Sequence, residues 1–202
     1  MKEYKRIRSY ENFWNENFWK WFGDSKVVDN NGNPLICYHS TNKDFDNFEN
    51  KELGYHFGTI ISAHNRLKYK FKEQKLINES IIPVYLKIEN PIYMDDIGIW
   101  NDVDEIVSEL INVNILDKNT EFIKRYDDML KLPINEQDKT KNEILEDIIQ
   151  LLTDTLKYDG IIYNNISEDV GEQSYLVFKN TQIKSAIGNN GDYNPINPNI
   201  NK

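Results

Sequence analysis

The run Leu35-Ile36-Cys37-Tyr38 is apolar and stops abruptly at His39, with Ser40 and Thr41 directly behind it. A short apolar run bounded by polar residues reads as a strand. This strand ends by presenting an imidazole and two hydroxyls together. Alone, such a triplet is what any solvated strand end offers, so the rest of the chain has to decide its meaning.

At 202 residues the chain suits one domain with a real core. Hydrophobic residues at 39% against 28% charged residues place it among globular chains rather than disordered ones. A net charge of −9 argues against attraction to nucleic acid or anionic membranes through bulk charge, and leaves room for a local basic patch. The single cysteine, Cys37, permits neither an internal disulfide nor a Cys/His zinc site, and is expected to act as a small core hydrophobe. The opening MKEYKRIRSYENFW carries basic residues with no apolar segment behind them, and no apolar run reaches 18 residues. A cytoplasmic location without membrane contact is therefore the expectation.

Along the chain, ENFWNENFWKWF (11–22) spaces its aromatic residues for a helix that packs over the core, and Gly23-Asp24 ends it. SKVVD reads as a short strand, NNGNP as a hairpin turn and LICYH as the returning strand. Thr59 is a plausible N-cap for a helix reaching about Gln74. IIPVYLKIENPIYM reads as a strand closed by the Asn90-Pro91 turn. Residues 93–157 form a helical insertion, with Ile144, Leu145, Ile148, Ile149 and Leu152 along one apolar face. YDGIIYNN and SYLVFK are strands on either side of the acidic loop SEDVGEQ, and TQIKSAIGNN is a last short element. Residues 1–190 make one domain, and the tail 191–202 is expected extended or disordered.

Three short strands thus begin or end at polar residues, His39, His56 and Ser174, and two of the three histidines in the chain stand at these junctions. In this order, YHST, GYHF and SYLVF resemble the three-part signature of ADP-ribosyltransferases of the diphtheria-toxin and poly(ADP-ribose)-polymerase lineage. A closer resemblance is to the phage and mobile-element, polyvalent-protein-associated branch. It is carried by GDSKVVDNNGNPLICYHST, GYHFGT, YDGIIYNN and SYLVFKNTQIKSAIGNNGDYNPINP, which frame residues 23–198.

The resemblance implies an α+β fold in which two small packed sheets surround an NAD cleft and helices lie at the periphery. It implies NAD as substrate, no metal, and a protein or nucleic-acid acceptor, with a cognate antitoxin or immunity protein as a further possible partner. His39 matches the family histidine that orients a ribose hydroxyl. Ser40 stands where the family usually has Gly against the nicotinamide amide, and Thr41 follows the pattern. His56 takes the second position, flanked by Tyr55 and Phe57, where a neutral imidazole suits a cationic ring. At the spacing of a second stacking Tyr the chain has Leu67, with Tyr69 the nearest aromatic.

Ser174 replaces the catalytic Glu of the main lineage. Charge-assisted hydrogen bonds are about twice as strong as neutral ones, so a serine does not substitute for that carboxylate and chain elongation is not expected. The preceding loop offers Glu168, Asp169, Glu172 and Gln173. Glu172, two residues before Ser174, is the expected source of the charge if the strand begins early. Mono-ADP-ribosyl transfer, as a bacterial or phage toxin or effector, is the leading function. An NAD glycohydrolase, an RNA 2′-phosphotransferase and an inactive module that binds NAD or a partner are the alternatives.

Overall fold

The computed structural model describes residues 14–42, 45–48, 53–70, 80–117 and 121–202; the side chains at 69–70, 121–122, 134–135 and 138–139 are outside that description. The expected start of the aromatic helix at residue 11 and the side chain of Tyr69 therefore lie outside the described residues.

Among the described residues, seven short strands form two small sheets. One has the order β1 (Cys37–Thr41), β3 (Ser80–Leu86), β7 (Ile183–Ser185), and the other β2 (Tyr55–Phe57), β6 (Gln173–Val177), β5 (Gly160–Asn164), β4 (Pro91–Asp95). Every pairing is antiparallel except β4 with β5. The sheets meet where Tyr38 and Gly58 exchange backbone hydrogen bonds of 2.9 and 3.1 Å, which sets β1 beside β2. With its peripheral helices this is the α+β architecture expected from the resemblance.

Side chains alternate along a strand, and the second sheet uses both faces. Ile162, Tyr175 and Val177 join Cys37, Val84 and Leu86 in the core between the sheets. Ile161, Tyr163 and Leu176 face the other way, into a core closed by α3 (Val103–Asn112), α4 (Glu121–Met129) and α5 (Ile134–Gln150). Ile144, Leu145, Ile148 and Leu152 supply the buried stripe of that cover. The helical segment begins later than residue 93. Pro91–Asp95 alternates buried and exposed positions and pairs in parallel with β5, so the Asn90-Pro91 turn opens a strand instead of closing one.

α1 (Glu16–Phe22) is capped by Asn15, whose side chain accepts from the Phe18 N–H at 2.9 Å. It buries Phe18, Trp21 and Phe22 against Tyr85 and Tyr193. The stretch 25–29 makes an isolated bridge, Val28 to Pro34, rather than a strand, and Asp29 accepts from the Asn31 and Asn33 N–H groups of the turn. α2 (Ile60–Lys70) starts at Thr59, whose hydroxyl accepts from the Ser62 N–H at 3.0 Å. Cys37 is buried in the core between the sheets, and burial raises its thiol pKa.

The tail has no helix beyond single turns, yet it is packed down rather than disordered. Asn194, Asn197 and Asn199 each accept from the N–H two residues on, which builds consecutive turns that no hydrophobic periodicity signals. Tyr193 and Ile200 are buried, and Ser185 donates its N–H to the Ile200 carbonyl at 2.9 Å. The fully buried Lys184 reaches out of β7 to donate to the carbonyls of Asn197 and Asn199 at 2.8 and 3.2 Å.

Burial lowers the Lys184 pKa to about 8. Below that value the ammonium is charged in both folded and unfolded chains. Between there and the unfolded value near 10.4 only the unfolded chain keeps the proton, so stability rises with pH. Relative to Lys184→Met, the wild-type chain is expected to gain about 2 kcal/mol of unfolding free energy between pH 7 and pH 10. Denaturant titrations of both proteins across that range check it, and a constant difference contradicts it.

Candidate active site

The junction of the two sheets opens into a cleft lined by residues from β1, β2, α2, β5, β6 and the loop before β6. His39 and Ser40 enter from β1, His56 and Phe57 from β2, and Ser174 from β6. These five expected site residues therefore meet, although up to 135 positions separate them (39 to 174).

His39 sits in an aromatic setting, with the Phe48 and Phe57 rings at 5.0 and 5.4 Å and Phe45 at 6.4 Å. Its Nδ1 lies 2.8 Å from the His56 carbonyl. A carbonyl only accepts, so Nδ1 carries a proton, and in the neutral ring Nε2 is the acceptor nitrogen. The Ser40 hydroxyl oxygen is buried and has no hydrogen-bond partner among the described residues.

The face of the second sheet that carries Leu176 also carries His56, opposite Leu176, and the cross-strand pair Tyr163 and Ser174. The His56 Nδ1 is 3.1 Å from the Tyr163 hydroxyl. Burial, followed by the charges of Asp96 and Glu168, raises the Tyr163 pKa, so the phenol keeps its proton. Trp100 meets His56 edge-on at 5.2 Å and Tyr163 at 4.7 Å, held by its indole N–H donating to Asp96 at 3.3 Å. The aromatic residue against His56 thus comes from the segment between β4 and α3. At the spacing read for a second stacking Tyr, Leu67 is buried.

Ser174 is 2% exposed, and its hydroxyl oxygen accepts from Asn165 Nδ2 at 3.1 Å. The same amide nitrogen donates to Glu168 Oε2 at 2.9 Å, and Arg66 Nη1 lies 3.2 Å from Glu168 Oε1. Asn165, Glu168, Arg66 and Tyr163 all line the cleft.

The remaining expected residues lie elsewhere. Glu172 and Gln173 are exposed and do not line the cleft, since the chain reverses at Gly171 (φ +91°) and β6 starts only at Gln173. The early strand start that would have put Glu172 beside Ser174 does not occur. Thr41 is buried beyond the cleft lining. Tyr55 is also off the lining, and its hydroxyl donates to the Phe48 carbonyl at 3.2 Å. Phe57, which lines the cleft, also packs into the core between the sheets.

A family model described as ADP-ribosyltransferase in polyvalent proteins matches residues 29–193. The chain belongs to that family. No curated protein and no solved structure matches it. The match to this ADP-ribosyltransferase spans every strand and every cleft residue described above. Members of the family are transferases that use NAD as substrate. Among the described residues of this one, no helix is long and apolar enough to cross a membrane, and no three His, Cys, Asp or Glu side chains are grouped to hold a metal ion.

Proposed function

We propose that this ADP-ribosyltransferase cleaves NAD at the nicotinamide–ribose bond and transfers one ADP-ribose to a macromolecular acceptor. The reading rests on the convergence of His39, Ser40, His56 and Ser174, from three strands, on one cleft. A toxin or effector role inside a bacterial cell accompanies it, as the phage-type family suggests.

Departure of nicotinamide leaves positive charge on the ribose, as in glycoside cleavage, and the site has to orient the sugar and hold the leaving group. The tautomer of His39 suits a hydroxyl of the nicotinamide ribose, which donates to Nε2. Ser40 fits the carboxamide of NAD, because a buried hydroxyl with no partner among the described residues is costly unless a ligand supplies one. His56, set by Tyr163 and Trp100, gives the pyridinium a flat aromatic wall. Ser40→Ala is expected to weaken NAD binding about fivefold, the worth of one neutral hydrogen bond, with the melting temperature unchanged. Calorimetric titration measures this, and an unaltered affinity removes the hydroxyl from the site.

An RNA 2′-phosphotransferase needs paired basic residues around the cleft. Among the described residues one Lys or Arg side chain, Arg66, lines it here, and that residue is ion-paired with Glu168. Incubation with labelled NAD and bacterial lysate tests the proposal. Label on macromolecules is the expected result. Free labelled ADP-ribose instead indicates a glycohydrolase, and intact NAD a binding module.

A further inference from the structure

We propose that Glu168 is the catalytic carboxylate of this cleft, taking through Asn165 the place that the Ser174 position leaves uncharged. The inference rests on the NAD-cleaving reading above and names the group that carries its transition-state charge.

A carboxylate in an acidic surface loop is usually solvated and loose. Glu168 is neither. Its side chain is 20% exposed, and both oxygens are engaged, Oε2 by Asn165 Nδ2 at 2.9 Å and Oε1 by Arg66 at 3.2 Å. Asn165 builds the loop around it. Its Oδ1 accepts from the N–H groups of Ser167, Glu168 and Asp169 at 2.9, 2.7 and 3.1 Å, while its Nδ2 joins Glu168 to the buried Ser174 hydroxyl. α2 grips the loop from the other side. Asn65 donates to the Glu168 carbonyl at 2.7 Å, and the Thr59 hydroxyl donates to the Asp169 carboxylate.

One amide therefore places a carboxylate next to the strand residue that the main lineage makes acidic, at the wall of the cleft that holds His39 and His56. Fixing a charge in a partly buried cleft is how a site stabilises charge that develops only in the transition state. In the step this serves, the bond between ribose C1′ and the pyridine nitrogen breaks, and its electron pair leaves with neutral nicotinamide. The Glu168 carboxylate accepts a hydrogen bond from a ribose hydroxyl and offsets the cation on the sugar. The acceptor, or water, forms the new bond to C1′ and releases its proton to solvent. Arg66 acts as a positioning residue that aims the carboxylate.

The test measures nicotinamide release at saturating NAD, the NAD dissociation constant and the melting temperature for the parent and for Glu168→Gln, Glu168→Asp, Arg66→Gln and Glu172→Gln. Glu168→Gln is expected to lower turnover at least a hundredfold with the dissociation constant within threefold, because the cation exists only in the transition state. Glu168→Asp, which keeps the charge but retracts it by one methylene, is expected to lose at least tenfold, and it stands in should the Gln variant not fold. Arg66→Gln breaks the same ion pair and keeps the carboxylate, so its loss stays under tenfold, and Glu172→Gln stays within twofold of the parent. Turnover by Glu168→Gln within threefold of an active parent, or equal losses in Glu168→Gln and Arg66→Gln, overturns the assignment and leaves the pair a structural one. A folded parent that releases no nicotinamide refutes the NAD-cleaving reading itself, and Glu168 falls with it.

Discussion

His39→Ala is expected to lower NAD turnover about a hundredfold while the protein stays folded. The ring of His39 is oriented by its Nδ1–H bond to the His56 carbonyl and by the rings of Phe48 and Phe57, which fixes its tautomer and direction. Orientation of this kind contributes several kcal/mol to a reaction barrier, of which a hundredfold uses about 3. The residue is only partly buried, so truncation removes a limited amount of packing. His39→Asn retains an N–H donor for the His56 carbonyl without the ring acceptor, and should sit close to the Ala variant. Initial rates of nicotinamide release, with circular dichroism to confirm folding, decide the matter. A folded His39→Ala protein within threefold of the parent rate takes His39 out of the site.

Trp21→Ala is expected to have the opposite profile, with a large loss of stability and little loss of chemistry per folded molecule. Trp21 is 1% exposed, lies 6.0 Å from the rings of Phe18 and Tyr193, and donates its indole N–H to the Thr181 carbonyl at 3.1 Å. Removing a buried Trp costs about 3–5 kcal/mol, since the neighbours close only part of the space it leaves. None of these contacts lines the cleft. Denaturant unfolding measures the loss. A change below 1 kcal/mol, or a kcat that falls while the protein is fully folded, contradicts a purely packing role for α1.

The strands that carry the site were legible because short apolar runs that begin or end at His39, His56 or Ser174 are local features, and their order carries the family resemblance. What binds them was not. The contact between Arg66 and Glu168 spans 102 positions, and no periodicity points to it. A local signal did exist in Asn165, an Asx-turn former placed two residues before Ser167 and three before Glu168. The choice of Glu172 followed from strand alternation, which applies only inside a strand, and the positive-φ Gly171 ends that premise. β4 was hidden by its opening Pro91, which reads as a turn but is tolerated at the first residue of a strand. Trp100 escaped notice because its partner His56 lies 44 positions away (56 to 100).

The chain holds three histidines, and they divide cleanly. His39 and His56 line the cleft, and His64 is exposed on α2. Imidazole resonances, assigned by single substitution and followed during an NAD titration, therefore report directly on where NAD binds. Saturating NAD is predicted to move the signals of His39 and His56 and leave that of His64 in place. Movement of His64 alone, or no movement of the cleft pair at concentrations where calorimetry detects binding, would place NAD elsewhere and contradict the account.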